Sequence, residues 1–533
     1  MELNDSQISR RRLLQAMGIG VAALGAGGAL TACSSSGGGG TPTTVVPTPM
    51  VSPKKGGTLR VGLSVSSPTE TMDPNKMAVS TDWAHAFMLF DLLTYPDPAT
   101  YALKNRIADE ITPNAAGDVW TVRLKPGVEF HSGKTLGADD LIYSVNAMLA
   151  GYPSPSLFFI DPEGMKKLDP LTVQFNLKSP FAEFPEAFAG SNQFIIPTDF
   201  NPAKPVGTGA FKLVSFKAGD RASFVRNPNY WGDEVFLDGV ETIDLNDNTA
   251  RVNALLGGQV DAIMNVPYDQ VASLKSNSAL SVMAAETVSW QPIVMAIDMA
   301  PFDNPKVREA FRLIAQRAQL VSQAYVGNGS LANDLFQQFD PAYQGKVLPQ
   351  REQDLEKAKQ LLKEAGQENM VHDIVVANIA SGMIEGAQVF AQQASQAGVT
   401  INLRKVEPGD FYGPDYLKRP LTVDLNCSTV SYLTTCSLWT GAGAPYDATH
   451  MQTDKEYVDL YYQACKTMDA SARKAIEGQM QQIEYDRGGY LNYGFAYQVD
   501  AFSSKLAGFV PDKVGWPLGF GSTYGFGSVG FTS

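Results

Sequence analysis

Four histidines are the first candidates for acid–base chemistry or metal binding in this chain of 533 residues. They are His85, His131, His372 and His450. They lie far apart in the sequence, and none has the spacing of a metal-binding pair. The sequence also lacks a His-Glu-x-x-His motif, a Gly-x-Ser-x-Gly motif and a phosphate-binding glycine loop. We therefore expect no metal, no cofactor and no catalytic residue, and we do not predict an enzyme.

Three further patterns match catalytic or cofactor-binding motifs only in their letters. Ser52-Pro-Lys-Lys55 has the Ser-x-x-Lys spacing, but it lies in a Ser-, Gly-, Thr- and Pro-rich segment that forms no pocket. Gly525-x-Gly527-x-x-Gly530 resembles a dinucleotide-binding pattern, but too few residues follow it to form the required helix. Asp139 and Asp140 are assigned to the first turn of a helix, where carboxylates interact favourably with the helix dipole.

The segment from Asn426 to Ala444 has the composition of a binding surface. It contains no charged residue, but it includes Tyr432, Trp439 and seven Ser or Thr hydroxyls. Such a segment suits a wall that stacks on a polar solute and hydrogen-bonds to it. A buried strand and turn is the alternative.

Composition restricts the class of protein. The chain has 42 Lys and Arg against 55 Asp and Glu, a formal net charge of −13, with 44% hydrophobic residues. These values are typical of a folded globular chain whose length allows several domains. Nucleic acid is not predicted as a partner, because phosphate binding requires clustered Lys and Arg.

Helical and extended patterns alternate along the chain. Residues 58–63 alternate apolar and polar side chains and are predicted to form a strand. Asn304 and the proline after it predict the start of an amphipathic helix. A helix over 387–397 is followed by a strand over 399–403. This order predicts a mixed α/β fold.

The N-terminal region carries two export features. Ser9-Arg10-Arg11-Arg12-Leu13-Leu14-Gln15 is a twin-arginine type signal, and a glycine-rich, weakly apolar stretch follows it to Ala32. A short transmembrane anchor is the alternative for that stretch. Leu30-Thr31-Ala32-Cys33 resembles the lipobox of bacterial lipoproteins, which implies that Cys33 is lipidated. Residues 34–55 are predicted to be a flexible tether. The body is therefore expected outside the cytoplasmic membrane and anchored to it.

Three cysteines remain in that exported body, where disulfides can persist. They are Cys427, Cys436 and Cys465. We predict a bond between Cys427 and Cys436, and the alternative is that all three stay reduced.

A series of short blocks runs through the chain from about residue 56 to residue 510. The blocks are Gly56-Gly-Thr-Leu-Arg-Val-Gly62, Thr71-Met-Asp-Pro74, Asp118-Val-Trp-Thr-Val-Arg-Leu-Lys-Pro-Gly-Val-Glu-Phe-His-Ser-Gly133, Pro205-Val-Gly-Thr-Gly-Ala-Phe-Lys-Leu213, Arg226-Asn-Pro-Asn-Tyr-Trp-Gly232, Leu255-Leu-Gly-Gly-Gln-Val-Asp261, Pro301-Phe-Asp-Asn-Pro-Lys-Val-Arg308 and Glu356-Lys-Ala-Lys-Gln-Leu-Leu-Lys-Glu-Ala-Gly366. In this order they resemble the family 5 solute-binding proteins of ABC importers, the extracytoplasmic peptide-, dipeptide- and nickel-binding family.

The resemblance implies a two-lobed periplasmic-binding-protein fold whose lobes close on a ligand about a hinge. The hinge strands are expected near residues 297 and 498. The implied partners are a small-molecule or peptide ligand and the permease subunits with their ATPases, and the chain is expected to be a monomer. The spacing of the blocks gives the following division: signal peptide 1–32, lipidated cysteine and tether 33–55, lobe Ia 56–97, 205–297 and 499–533, subdomain Ib 98–204, and lobe II 298–498.

The family also suggests where the ligand binds. Peptide-binding members carry an Asp, in a segment of the type Trp-x-x-Asp-Tyr-x-Asp-Pro, that pairs with the amino group of the peptide. The corresponding stretch here, near 430–439, has no Asp, and an ammonium buried without a carboxylate would be costly. No histidine cluster supports nickel. The predicted cleft residues are Trp83, Trp290, Phe411, Tyr432, Trp439 and Asp447.

The leading expectation is therefore a lipid-anchored receptor of an ABC importer that captures a peptide or a polar solute of similar size. A receptor for an oligosaccharide or an opine-like ligand in the same role is the first alternative. A sensor without a transport role and a lipoprotein enzyme are the others, because fold alone does not determine function.

Overall fold

The structure is a computed structural model that describes residues 52–151, 157–427 and 430–532. The predicted signal peptide, Cys33 and most of the predicted tether lie outside the described residues.

The secondary structure of the described residues mixes strands and helices along the whole chain. The strands are β1 (Thr58–Leu63), β2 (Thr94–Pro96), β3 (Leu103–Asn105), β4 (Ala108–Pro113), β5 (Val119–Leu124), β6 (Ile160–Asp169), β7 (Thr172–Leu177), β8 (Phe211–Lys217), β9 (Arg221–Arg226), β10 (Gly239–Asp244), β11 (Ala262–Ile263), β12 (Leu280–Ala285), β13 (Ile293–Met295), β14 (Gly329–Leu331), β15 (Val371–Val376), β16 (Thr400–Lys405), β17 (Leu421–Val423), β18 (Tyr490–Leu491), β19 (Gly494–Ala496), β20 (Gln498–Ser503), β21 (Leu506–Ala507) and β22 (Gly530–Phe531). The helices are α1 (Ser80–Leu89), α2 (Ala138–Ala150), α3 (Asn248–Leu256), α4 (Val271–Lys275), α5 (Pro305–Ile314), α6 (Arg317–Ala324), α7 (Leu355–Glu364), α8 (Met383–Ser395), α9 (Pro408–Phe411), α10 (Tyr432–Trp439), α11 (Lys455–Lys466) and α12 (Ala470–Arg487).

The first lobe is built on a sheet with the strand order β12-β20-β11-β1-β10-β9-β8. Its centre is parallel, because β1 pairs in parallel with both β10 and β11. The strand predicted over 58–63 is β1, and Leu59, Val61 and Leu63 on it are fully buried. An apolar cluster that includes these residues fills this lobe.

The second lobe is built on a sheet with the order β16-β15-β17-β13-β18. The helix predicted from Asn304 is α5. The Asn304 side chain accepts a hydrogen bond from the amide of Lys306, and Pro305 occupies the first turn. The face of α5 that carries Val307 and Phe311 is buried. The predicted helix and strand near 387–403 are α8 and β16, which confirms the mixed α/β class.

A third sheet, with the order β4-β5-β7-β6, forms a subdomain together with α2. Asp140, in the first turn of α2, accepts a hydrogen bond from the amide of Gly137 and pairs with Lys134. Asp139 pairs with Lys167 at 2.7 Å. Both carboxylates therefore have structural partners, as the helix-start assignment implies. The apolar cluster of the subdomain continues into the second lobe.

The chain crosses between the first and second sheets at two places. It passes from β12 to β13 over residues 286–292, before the position near 297 that the sequence predicts. It returns between β19 and β20 at Tyr497. Trp290 forms isolated bridges with Asn426 and Phe495, so the two crossing segments lie side by side. These two segments connect the lobes of the two-lobed fold and are called the hinge segments below.

Candidate functional site

A cavity of about 310 Å³ lies between the two lobes and against the hinge. It sits beyond the carboxyl ends of the parallel strands in both sheets, where open α/β sheets place ligands. The first lobe contributes the residues after β1, β10 and β11, which include Ser64, Asn246 and Asn265. The second lobe contributes the residues after β15 and β17, which include Ser381 and Cys427.

The first-lobe wall is held by a network around Asn265. Asn265 has a positive φ of 54°, a conformation that Asn adopts more readily than most residues. Its amide side chain donates to Ser64 Oγ at 2.7 Å and accepts from Gln498 Nε2 at 2.8 Å. Its backbone N–H donates to Asp500 at 2.9 Å. The turn after β11 is thereby fixed to β1 and to the returning hinge strand.

Arg251, on α3, is the one cation among the described residues that line the cavity, and its guanidinium donors are already used. It is 1% exposed. Its guanidinium donates to the backbone carbonyls of Met264 (2.9 Å), Leu245 (2.8 Å) and Asn265 (2.8 Å). Burial lowers the pKa of Arg251 to about 10, so it stays charged at neutral pH. Burial raises the pKa of nearby Asp500 to about 6, so its carboxylate is mostly ionised and offsets this charge.

The hinge segment supplies Gln291, which has an unused acceptor. Gln291 Nε2 donates to the carbonyl of Ser381 in the second lobe at 3.0 Å. Its Oε1 atom is buried without a hydrogen-bond partner, and the residue is only 2% exposed. Gln291 also lines the cavity. Because a buried acceptor without a partner is costly, a ligand donor that reaches this atom would remove that cost.

Two tryptophans of the first lobe form the aromatic side of the cavity. Trp83 and Trp516 have ring centroids 5.7 Å apart, and both line the cavity. Trp83 is oriented by a hydrogen bond from Nε1 to Asn192 at 3.1 Å, whereas Trp516 is half-buried. Tyr268 and Tyr497 add two phenol groups.

Of the six predicted cleft residues, Trp83 lines the cavity and the other five lie in the interior of the second lobe. Trp290 is fully buried and stacks on Phe336, with ring centroids 5.2 Å apart. Tyr432 also stacks on Phe336, with ring centroids 5.2 Å apart. Trp439 packs 6.3 Å from Trp290.

Phe411 and Asp447 are also interior residues. Phe411 is fully buried against Tyr412, with ring centroids 4.7 Å apart. Asp447 accepts hydrogen bonds from the hydroxyl of Thr449 and the backbone N–H of Gln452. Burial raises the pKa of Asp447 to about 6. Its carboxylate closes a local turn and does not line the cavity.

The predicted wall over 426–444 is largely buried, as the alternative states, but its centre is a helix and not a strand and turn. Residues Tyr432–Trp439 form α10, whose first turn is capped by the Ser431 hydroxyl. Nearly every side chain of α10 is buried, because the helix packs between the interior of the second lobe and Glu183 of the subdomain. From the described part of this segment, Cys427 is the residue that reaches the cavity.

The predicted bond between Cys427 and Cys436 is not formed in the structure. Cys436 is fully buried on α10, and its sulfur lies 3.3 Å from the hydroxyl of Tyr457. Cys427 is exposed toward the cavity instead. Helix α10 therefore turns Cys436 into the interior and away from its predicted partner.

Sequence reasoning missed Gln291, Asn265 and Trp516. Asn265 and Gln291 carry a usable signal, since each is a polar residue next to a strand end. Within the described ranges, no group of three His, Cys, Asp or Glu side chains is arranged to hold a metal ion. No helix in those ranges is long and apolar enough to cross a membrane.

Known proteins share both the sequence pattern and this architecture. A profile of the bacterial extracellular solute-binding proteins, family 5, middle region, matches residues 102–426. The glutathione-binding protein GsiB of Shigella flexneri is 26% identical over 435 residues, which cover 77% of this chain and 84% of the relative.

Solved structures share the two-lobed fold. The periplasmic binding protein DppA from Helicobacter pylori, associated with an ABC transporter and in complex with the peptide STSA, matches with a TM-score of 0.76 at 20% identity. That match covers 90% of this chain and 99% of DppA. AgaA from A. tumefaciens R10, in complex with agropinic acid, matches with a TM-score of 0.74 at 21% identity and covers 89% of this chain and 99% of AgaA.

Proposed function

Because the chain belongs to family 5 of the bacterial extracellular solute-binding proteins, we propose that it is the receptor of an ABC importer. It captures a polar solute, up to about the size of a short peptide, in the cavity between the lobes. It then delivers the solute to permease subunits that are driven by ATPases. It binds this solute without converting it.

The observation that carries this proposal is the position of the cavity. Its walls come from both lobes and from the hinge, so a bound solute contacts all three at once. A ligand shifts a conformational equilibrium only by its difference in affinity for the two states. A solute that touches both lobes favours the closed state, which a permease can distinguish from the open one.

The relatives support the role in general terms and leave the ligand open. GsiB is described as a glutathione-binding protein, DppA was solved with a peptide, and AgaA was solved with agropinic acid. The same architecture therefore accommodates ligands of different chemistry.

The proposal includes the export and anchoring inferred from the first 33 residues. The twin-arginine segment directs the chain across the membrane, and lipidated Cys33 holds it on the outer face as a monomer. Cys33→Ser should release the exported chain from the membrane fraction and abolish labelling by a palmitate analogue. A Cys33→Ser chain that is still labelled and membrane-bound contradicts the anchor.

Thermal unfolding with a solute library tests the receptor role. The library contains short peptides, neutral oligosaccharides, opines and nickel chelates. A ligand that binds the folded state at 100 times its dissociation constant adds about 2.7 kcal/mol to the free energy of unfolding. Cells that lack the chain should also lose uptake of the solute that binds. If no class of solute raises the unfolding temperature, the receptor role is wrong.

A further inference from the structure

The cavity has an unusual charge inventory. Among the residues that line it in the described ranges, no Asp, Glu, Lys or His is present. The charged lining residue is Arg251, whose guanidinium is occupied by backbone carbonyls and offset by Asp500.

A zwitterionic ligand fits this inventory poorly. The ammonium group of a peptide would be buried without a carboxylate to receive it, and the carboxylate without an available cation. Burial of an unpaired charge is far more costly than burial of a neutral polar group that is hydrogen-bonded. The lining therefore favours neutral polar ligands over zwitterionic ones, whatever their shape.

The polar groups that are present are carboxamides and hydroxyls. The carboxamides come from both lobes and the hinge, and they are Asn246, Asn248, Asn265, Gln291, Asn378 and Gln498. Ser80, Thr287 and Ser289 add hydroxyls. A carboxamide offers both a donor and an acceptor, and so does a ligand hydroxyl. Asn246, Asn265 and Thr287 already use these groups within the protein. The match to a ligand with several hydroxyl groups therefore rests on Gln291, Asn378, Ser80 and Ser289.

Gln291 is the residue at which one hydrogen bond to a ligand hydroxyl can be specified. Its Nε2 atom is held by Ser381, which fixes the amide, and its buried Oε1 atom has no partner. A hydrogen bond from a ligand O–H or N–H would remove the cost of this unpaired acceptor. The half-buried ring of Trp516 offers an apolar face on which the C–H face of a sugar ring can pack.

From these observations we propose that the cleft selects a neutral, polyhydroxylated solute of oligosaccharide type, with Gln291 Oε1 accepting one of its hydroxyls. The cavity of about 310 Å³ is at the lower end of the usual range for small-molecule sites, roughly 300–1,000 Å³. It therefore suits a short oligosaccharide. This inference rests on the proposed receptor function and specifies its ligand.

Calorimetric titration of the purified chain tests the charge selectivity without any substitution. The probes are neutral disaccharides and trisaccharides, matched amino-sugar and uronic-acid analogues, and di- and tripeptides. At least one neutral sugar should bind, and replacement of a hydroxyl by an amine or a carboxylate should weaken binding by tenfold or more. If zwitterionic peptides bind as well as any neutral sugar, this inference is wrong while the receptor function stands. If none of these probes binds but an opine does, the inference is also wrong.

A single substitution then tests Gln291. Gln291→Glu keeps the size of the side chain and places a carboxylate at the acceptor position. We expect tenfold weaker binding of the neutral sugar and tighter binding of its amino-sugar analogue. Gln392→Glu makes the same change at an exposed position of α8 and should alter neither affinity. If Gln291→Glu leaves the preference between the two sugars unchanged, Gln291 is not the acceptor. The unfolding temperature without ligand verifies that both variants are folded.

Discussion

Glu183 of the subdomain and Arg473 of the second lobe form an ion pair between two parts of the molecule, with Oε1 and Nε 3.5 Å apart. The other carboxylate oxygen of Glu183 accepts hydrogen bonds from the hydroxyls of Ser431 and Thr434 at the N-terminus of α10. The backbone N–H of the preceding Ala182 donates to the carbonyl of Cys465 at 2.8 Å. Any rotation of the second lobe relative to the subdomain must break these bonds, so they stabilise the orientation seen here.

The carboxylates around this pair should make stability depend on pH. Burial raises the pKa of Glu183, Glu186 and Asp340, and it raises the pKa of Glu477 to about 8. A carboxyl group with a raised pKa in the folded state binds protons more tightly when folded than when unfolded. The stability it contributes is present at low pH and is lost as the pH rises through the folded pKa. For Glu477 this loss falls between about pH 4.5 and pH 8.

Glu477→Gln is expected to remove part of this pH dependence. The neutral amide carries no charge to bury at pH 8, so the variant should gain on the order of 1–3 kcal/mol over the natural chain there. The two chains should differ little at pH 5. Thermal unfolding followed by circular dichroism between these pH values measures the effect. Glu368→Gln, at an exposed position, is the control, and an equal slope for all three chains contradicts the prediction.

The helices and strands that the sequence predicts correctly depend on local patterns of residues. Asn304 and Pro305 define the start of α5 by capping and backbone geometry, and neither effect depends on distant residues. Strand β1 follows from its alternation in the same way. The order of the blocks then predicted two lobes and a cleft, which the structure contains.

The position of the aromatic residues could not be predicted from their type. The residue type does not tell whether a tryptophan lies in the core or in a cleft. Trp290 and Trp83 differ only in which distant elements surround them. Gln291 is significant because Ser381, 90 residues away, holds one end of its amide while the other end stays unpaired. Such a pairing is a property of the tertiary structure.

Asp334 is expected to be essential for the stability of the second lobe. It is fully buried between Arg317, at 2.6 Å, and Arg351, at 2.9 Å, with Arg312 at 4.0 Å. Asp334→Ala leaves these guanidinium groups without their carboxylate, and removal of one partner of a buried pair typically costs about 3–5 kcal/mol. Denaturant unfolding measures this loss.

The matched control for Asp334→Ala breaks an exposed ion pair. Lys357→Ala removes the contact to Glu309, in which both side chains are substantially exposed, and it should change the free energy of unfolding by less than about 1 kcal/mol. Equal effects of the two substitutions would show that the buried charges are compensated in another way.

Gly207 should tolerate no side chain. A Cβ atom at this position would lie 1.9 Å from the backbone oxygen of Leu89 at the end of α1, which requires the backbone to move. We expect Gly207→Ala to cost about 2–4 kcal/mol, a value typical of overpacking at a rigid site. This contact explains the glycine in the block Pro205-Val-Gly-Thr-Gly.

Gly478→Ala is the control for that substitution. Gly478 lies within α12, where an added Cβ would be 3.6 Å from Gln344, an ordinary contact. Because Ala favours a helix over Gly, this variant should be as stable as the natural chain or more stable by up to about 1 kcal/mol. Thermal unfolding of both variants measures the difference, and a loss of stability in Gly478→Ala alone would contradict the steric conflict expected at Gly207.

Substitution of two tryptophans, Trp516 and Trp290, should distinguish an effect on ligand binding from an effect on stability. Trp516 is half-buried on the cavity wall, whereas Trp290 is fully buried against Phe336. Trp516→Ala removes an aromatic face from the cavity. It should weaken ligand binding by about tenfold or more, since an aromatic contact contributes about 0.5–1.5 kcal/mol beyond the area that it buries. Trp516 also packs on Trp83, Phe87 and Phe520, so some stability should be lost, but less than for the fully buried Trp290.

Trp290→Ala should show the opposite pattern. It leaves a large cavity in the interior, for which about 3–5 kcal/mol is typical, and binding changes only as far as the fold is lost. Calorimetric titration and denaturant unfolding of both variants, at a temperature where each is folded, separate the two effects. If Trp290→Ala abolishes binding at unchanged stability while Trp516→Ala binds normally, the ligand site lies inside the second lobe. The cavity between the lobes would then have to be abandoned as the binding site.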